Sequence, residues 1–381
     1  MNKKDIKLIN TIRVLRTLWL NEGVSRIEIA DMLGLDKSTI TNIVNTLLEK
    51  KFVTELEEGT SGPQGGRKPI KLTIDGNRCA IAGIEVQPEY CHINCLNLSG
   101  DLLFSKRVNG EFSAESFTER FSEFYTEIVI KLKTLGIPLA GIGLGFSGIV
   151  YPAAGIIHES IPLGVEADYD INARLADIVD VPLFIDNDGN CCCWGELVRN
   201  RNEFLKDFMF CLIKERKHKN GNDEISFPAI GLGFVIGGKV HYGRKLTAGE
   251  FRSIFAEKNG ISQFSSEIGA ISDFNSDDKV FRKFAEEFGQ NIGLLVNTMA
   301  LSYCFIGGEL SGNYEYFSSV LQSSMDQNWS YPGKSLCSVR KSSMGEDAVA
   351  YGAAAMIIDK VFTIPGHSTG ENEIINLLFK E

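Results

Sequence analysis

Apolar residues recur at helical spacing through DIKLINTIRVLRTLWL, residues 5–20, where Ile6, Ile9, Ile12, Leu15 and Leu18 share a face. A second helix is expected to start at Ser25. Its hydroxyl can cap the first turn, and Glu28, three positions on, completes a capping box. Ile27, Ala30 and Leu33 would be its buried positions. Gly34 ends it, because the turn there asks for a residue that tolerates positive φ. Asp36 caps a third helix, whose buried stripe is Ile40, Ile43, Val44, Leu47 and Leu48. The period then changes. FVTELEEGTSGPQGGRKPIKLTI predicts two strands, near 52–57 and 69–74, around a glycine-rich turn.

From about residue 79 strands and then helices follow, twice over. CAIAGIEVQPEYCHINCLNLSGDLLFSKRV predicts consecutive strands with a turn at Ser99-Gly100-Asp101. Residues 113–136 predict an amphipathic helix, LAGIGLGFSGIV (139–150) a buried strand entering a glycine-rich loop, and VPLFIDND (181–188) a further strand. The second series comprises FMFCLIKE, FPAIGLGFVIGGKVHYG, helices near 277–303, YCFIGGELS and EDAVAYGAAAMIIDKVF. KERKHKNGNDE (214–224) reads as a solvated hairpin loop between strands. Two α/β sets predict two related lobes with a ligand cleft between them. The expected division is a winged helix-turn-helix over 1–76, a first α/β lobe over 77–186 and a second over 187–381, with the C-terminal helix free to pack back on the first lobe.

The outward face of the third helix carries Lys37, Ser38, Thr39, Thr41, Asn42 and Asn45. Short hydrogen-bonding side chains with a cation near the N-terminal end are what a helix needs to touch base edges and phosphates in a major groove. An ordinary solvated face is built of similar residues. The strand pair that follows favours the DNA reading. Its tip, Gly65-Gly66-Arg67-Lys68-Pro69, is flexible and cationic, and such a wing can insert Arg into a narrow minor groove. Arg67 and Lys68 would supply affinity and the helix sequence choice.

Composition sets limits. The 381 residues are 44% hydrophobic and 23% charged, as a soluble protein with a real core should be. No apolar run approaches bilayer length, and MNKKDIK is no export signal, so a cytoplasmic protein without a membrane partner is expected. Nine cysteines, three of them adjacent at Cys191–Cys193, suit buried thiols in a reducing compartment. The net charge of −10 is uneven: residues 1–80 hold 13 Lys and Arg against 10 Asp and Glu, which leaves −13 for the remainder. A mildly basic head on an acidic body agrees with a DNA-binding head, though three charges alone decide little.

A winged helix ending in GGRKP is followed in order by GFSGIV, NDGN, GGK, TAGE, IGGELS and AYGAAA. In this order and spacing, from about Ile6 to Phe362, the chain resembles the repressor–ORF–kinase (ROK) family. The winged head resembles its repressor branch, which includes xylose and N-acetylglucosamine repressors. The resemblance implies an actin-like ATPase fold in two lobes, operator DNA and a sugar effector as partners, and a homodimer or homotetramer. It also implies a sugar site. Asn187 and Asp188 match the pair that binds sugar hydroxyls, the Asp being the catalytic base in kinases; Glu250 matches a Glu that holds ring hydroxyls; Gly145 and Gly148 match the loop whose backbone approaches the sugar. The chemistry suits the task, since carboxylates and a carboxamide can accept from and donate to vicinal hydroxyls. Taken without the resemblance, Asn187-Asp188 reads better as an Asx turn capping the next helix.

Two departures from the family pattern bear on function. The kinases' first phosphate loop reads Asp-x-Gly-Gly-Thr, and here Glu85-Val86-Gln87-Pro88-Glu89 stands in its place. Both glycines are gone, Pro88 lacks an N–H, and Glu89 adds a charge that would repel a phosphate charge about 4 Å away by about 4 kcal/mol at an effective dielectric of about 20. The second phosphate motif, Gly-Thr-Gly, falls on Phe227-Pro228-Ala229, with Gly231 and Gly233 nearby. Many relatives also hold a structural zinc between a His and a cysteine cluster. Here Ser253 takes the His position, and IFAEKNGISQFSSE contains no Cys. Cys191–Cys193, adjacent on a helix, would project in different directions, so no metal is expected. That His and a nearby Glu also touch sugar in relatives. The sequence therefore predicts a sugar-responsive transcriptional regulator, most simply a repressor, without enzymatic activity or cofactor. The alternatives are a sugar kinase with an appended DNA-binding head and a regulator that has lost its sugar.

Overall fold

The computed structural model describes residues 3–56, 69–220, 223–258, 262–266, 268, 278–310 and 313–363. The head comprises α1 (Lys3–Leu20), β1 (Val24–Ser25), α2 (Arg26–Leu33), α3 (Lys37–Glu49), β2 (Val53–Glu55) and β3 (Lys71–Ile74), with β1 and β2 pairing antiparallel to either side of β3. The capping box at α2 forms in both directions: Glu28 N–H donates to Ser25 Oγ at 3.4 Å and Ser25 N–H to Glu28 Oε2 at 2.7 Å. Lys71, on the wing strand, adds a salt bridge that helps hold the Glu28 carboxyl down at about 2. Gly34 ends α2 with φ 62°. Two details differ from expectation. The short α2 turns its Ile29–Ala30 edge to the core, so Ile27 is 52% exposed. Asp36 stands at the N-cap of α3 but its side chain makes no capping bond.

The first lobe is built from β4 (Ala80–Val86), β5 (Tyr90–Asn97), β6 (Leu102–Asn109), α4 (Phe117–Leu135), β7 (Leu139–Phe146), β8 (Ile149–Tyr151), β9 (Ile156–Glu159), β10 (Tyr169–Asp170), α5 (Ile171–Leu175) and β11 (Leu183–Asn187). The rest comprises α6 (Asp188–Arg199), β12 (Phe208–Asn220), β13 (Asp223–Ile236), β14 (Lys239–Val240), α7 (Asp278–Met299), β15 (Tyr303–Gly308), α8 (Tyr314–Gln327), β16 (Ser338–Lys341) and α9 (Ala348–Phe362). The sheets run β11-β7-β4-β5-β6 and β16-β15-β12-β13-β14. Each is an antiparallel meander of three strands extended by two parallel strands, so one topology is used twice.

Two helices in equivalent places, α6 and α9, pack on each other between the sheets. Small residues allow it: a Cβ on Gly352 would stand 1.8 Å from Cys191 O, and one on Gly83 of β4 would stand 2.0 Å from Ala350 O. Thus α9, although the last of the described elements, lies against β4 and β7 of the first lobe. KERKHKNGNDE, apart from Gly221 and Asn222, which lie outside the described residues, is strand and not loop as expected. Pairing of β12 with β13 continues from Phe208↔Val235 to Asn220↔Asp223, whereas β12 leaves β15 after Ile213, so the ribbon runs on beyond the rest of the sheet. A two-stranded ribbon can be polar on both faces, which is why its composition reads as loop. Among the described residues no helix is long and apolar enough to cross a membrane.

Candidate functional sites in the cleft and the head

Strand β11 delivers Asp186 and Asn187 to the start of α6, which begins with Asp188. Asn187 is the N-cap, its Oδ1 accepting from Gly189 N–H at 2.8 Å and Asn190 N–H at 3.3 Å. Its Nδ2 donates to Gly148 O at 2.9 Å, so the amide is engaged at both ends. Gly148 has φ 114°, and a Cβ there would stand 2.2 Å from Glu159 O. Asp188 is 6% exposed; its Oδ1 accepts from Gly189 N–H at 2.9 Å and its Oδ2 from Ser147 Oγ at 2.6 Å. Burial raises its pKa, against the Ser147 hydrogen bond and the charges of Lys214 and Arg216. Glu250 is on the exposed rim, yet close enough that Asp188 and Glu159 add to partial burial in raising its carboxyl. Asn187, Asp188 and Gly148 therefore meet at one point, with Glu250 near Asp188.

Gly145 does not share that place. It lies within β7 and not in the loop, and an ideal Cβ there would stand 2.6 Å from Val349 Cγ1, so the glycine serves packing under α9. Three contributors went unseen in the sequence. Asp186, fully buried, accepts from Asn187 N–H at 2.8 Å, Asn190 Nδ2 at 3.0 Å, Trp194 Nε1 at 3.1 Å and Tyr242 Oη at 2.7 Å. Burial raises its carboxyl while these donors act to lower it. Four donors make it a structural knot rather than an open ligand group. Ser147 and Arg216 are the others: Arg216 Nη2 donates to Ser147 Oγ at 3.0 Å. The strand alternation that puts Lys214 and Arg216 on one side of β12 was the available signal.

Where a phosphate loop would stand, β4 and β5 are joined by a tight turn. Gln87 N–H donates to Tyr90 O at 2.8 Å, and Pro88 O and Glu89 O accept from Phe112 N–H and Gly110 N–H at 2.8 and 3.0 Å. Glu89 is solvent-exposed. The buried carboxylate beside this turn is Glu85, and it is paired: Lys214 Nζ donates to Glu85 Oε1 and, at 3.0 Å, to Tyr90 Oη, while Gln87 Nε2 donates to Glu85 Oε1 at 2.8 Å. Burial works to lower the Lys214 pKa, but Glu85 and Tyr90 outweigh it and leave the ammonium above its ordinary value. A cation of the second lobe thus reaches across the cleft to β4 and β5 of the first. Cys191–Cys193 are fully buried and burial raises their thiols far above their usual range. Ser253, at the position expected of a zinc ligand, accepts from Asn291 Nδ2 at 3.2 Å, tying its loop to α7. Among the described residues no group of three potential ligands could hold a metal ion.

On the head, α3 buries Ile40, Ile43, Val44 and Leu47 and leaves Lys37, Ser38, Thr41 and Asn42 exposed, with Thr39 half-buried. Thr41 Oγ1 donates back to Lys37 O at 2.8 Å. Arg67 and Lys68 lie outside the described residues.

Residues 81–263 match the ROK family and residues 9–57 the MarR family. The xylose repressor of Bacillus spizizenii (strain ATCC 23059 / NRRL B-14472 / W23) is 24% identical over 71% of this chain and 62% of its own length. The chain thus spans less than two thirds of that relative. Among solved structures, a ROK family transcriptional regulator described as a homolog of the E. coli MLC protein aligns over 99% of this chain and 100% of its own, with TM-score 0.73 and 17% identity. A ROK family glucokinase from Streptomyces griseus, in complex with glucose and AMPPNP, aligns over 73% of this chain and 98% of its own, with TM-score 0.56 and 17% identity. The duplicated lobes have the actin-like fold of these proteins, the head has a helix-turn-helix, and the stretch over residues 81–263 is similar to the ROK family.

Proposed function

We propose that the protein is a sugar-responsive DNA-binding regulator, a repressor, with a kinase-like cleft that senses a sugar and does not phosphorylate it. The head over 1–76 binds operator DNA through Lys37, Ser38, Thr39, Thr41 and Asn42 of α3 and through Arg67 and Lys68 of the wing. The lobes over 77–186 and 187–381 enclose the effector. Asn187, Asp188 and Glu250 grip its hydroxyls, with the backbone at Gly148 close by. The xylose repressors among the relatives support a pentose or hexose as effector. A homodimer would place two α3 helices on half-sites about 34–36 Å apart. The sugar shifts operator affinity only by preferring one arrangement of lobes and heads over another.

One observation carries the non-kinase reading: Lys214, paired with Glu85 and Tyr90, fills the phosphate side of the cleft beside a turn that has no glycine cradle. Phosphoryl transfer depends on positioning phosphates and metal, and this turn offers no glycine backbone to cradle a phosphate. The retained Asp188 favours the second reading, a kinase with a DNA-binding head. Two measurements on the purified protein separate them. D-xylose or D-glucose should raise the melting temperature and weaken operator binding, while a coupled assay with ATP, magnesium and the same sugars should detect no turnover. Turnover that disappears in Asp188→Asn would overturn the proposal.

A further inference from the structure

Ser147 lies in the cleft between β7 and β8, 9% exposed, and neither the fold nor the proposed sugar contacts give it a task. Its hydroxyl donates to Asp188 Oδ2 at 2.6 Å and accepts from Arg216 Nη2 at 3.0 Å. Asp188 opens α6, Ser147 belongs to the first lobe and Arg216 to β12 of the second, so one hydroxyl joins three elements. Both oxygens of Asp188 already accept a hydrogen bond, Oδ1 from the Gly189 N–H. The donor on Oδ2 is an aliphatic hydroxyl, the same group that a sugar would present. With Asp188 only 6% exposed, an arriving hydroxyl finds Oδ2 already engaged by a donor of its own chemistry and little open surface for a second.

We propose that Ser147 is an internal stand-in for a sugar hydroxyl, held on Asp188 by Arg216, and that effector binding exchanges this hydroxyl for the sugar's. The proposal rests on the sugar-sensing reading above. The exchange trades one hydroxyl–carboxylate bond for another, so it contributes little net affinity. It also moves Ser147 off the guanidinium that reaches it from the second lobe. A local swap thereby loosens one of the polar links across the cleft, which also include Lys214 to Glu85 and Tyr90 and Tyr242 to Asp186. Arg216 is a positioning residue in this scheme, acting on Asp188 through Ser147.

The test is calorimetric titration of D-xylose and D-glucose into the full-length wild type, Ser147→Ala, Arg216→Met and Arg216→Lys, with operator release followed in parallel. Removing the competitor should tighten sugar binding in Ser147→Ala by about five-fold, the equivalent of one net hydrogen bond of about 1 kcal/mol. Release of operator per bound sugar should fall, because the link to be broken is already absent. Arg216→Met should shift affinity in the same direction by less, and Arg216→Lys should restore the wild-type value. Weaker or unchanged binding in Ser147→Ala, with the wild type binding normally, overturns the exchange alone. Should Ser147→Ala fail to fold, unchanged or weaker binding in Arg216→Met does the same. Silence of the wild type toward both sugars brings down the sugar reading and the exchange with it.

Discussion

Lys214 and Glu85 meet almost out of reach of water, their side chains 8% and 0% exposed. A buried pair of this kind persists when further hydrogen bonds help to satisfy it, and Tyr90 and Gln87 supply them. Glu85 Oε2 still lacks a partner among the described residues. The pair is therefore better understood as fixing how β12 meets β4 than as a net source of stability. Its removal should be asymmetric. Lys214→Met leaves a carboxylate buried alone and should cost about 3–5 kcal/mol, while the double variant Glu85→Leu/Lys214→Met should recover most of that loss. Urea unfolding of the single and double variants measures the difference. Additive losses would mean that the two side chains act independently.

At the scale of the element, α6 shows what burial between two sheets does to a helix. Cys191, Cys192, Cys193 and Val198 are fully buried, and Glu196 is 1% exposed. Glu196 Oε2 accepts from Asn200 Nδ2 at 2.7 Å, and burial still pushes its carboxyl up to about 7 from 4.5. The folded chain therefore holds a proton that the unfolded chain releases near pH 4.5. The associated stability is complete below that pH and is lost as pH rises through about 7, amounting to about 3 kcal/mol at about 1.4 kcal/mol per pKa unit. Glu196→Gln should flatten this slope when unfolding is followed between about pH 5 and 8. Elements with an unbroken period were legible in the sequence: α1, α3 and α4 lie where apolar spacing puts them. The β12–β13 ribbon was not, because paired strands that leave a sheet lose the one-sided burial that gives a strand its alternation. The placement of Gly145 in the loop, where the structure has it in β7, failed for a related reason. A glycine that admits a helix and one that admits a ligand look alike in sequence, and the partner helix α9 lies about two hundred residues further on. The proposed sugar role of Asn187 and Asp188 rests on the family pattern alone, since local geometry makes Asn187 an ordinary helix cap.

At the scale of the molecule, the two helices between the sheets converge on one residue of the head. Helix α6 starts at Asp188 in the cleft; just past its end, Arg201 Nε donates to Trp19 O at 3.0 Å, and the guanidinium lies 5.6 Å from the Trp19 ring centroid. Helix α9, packed along α6, ends at Phe362, whose ring stacks on Trp19 at 4.7 Å with 12° between planes. Arg16 of α1 closes the junction, its Nη1 donating to Phe362 O at 3.3 Å and Thr363 Oγ1 at 3.0 Å. If the proposed response changes how the lobes close around Asp188, the contacts of α6 with α9 offer it a route to the base of α1. Spatial continuity is not yet coupling; that requires both sites to bias the same element. Arg201→Ala removes the α6 contact without touching the cleft or α3. Sugar affinity and sugar-free operator affinity should each stay within about three-fold of wild type. The factor by which sugar weakens operator binding, expected in the usual allosteric range of about 5–150-fold, should drop toward one. Operator titrations with and without D-xylose give that factor for both proteins. An unchanged factor in Arg201→Ala would leave α9 and Phe362 as the link, which Phe362→Ala in the same assay would then have to abolish.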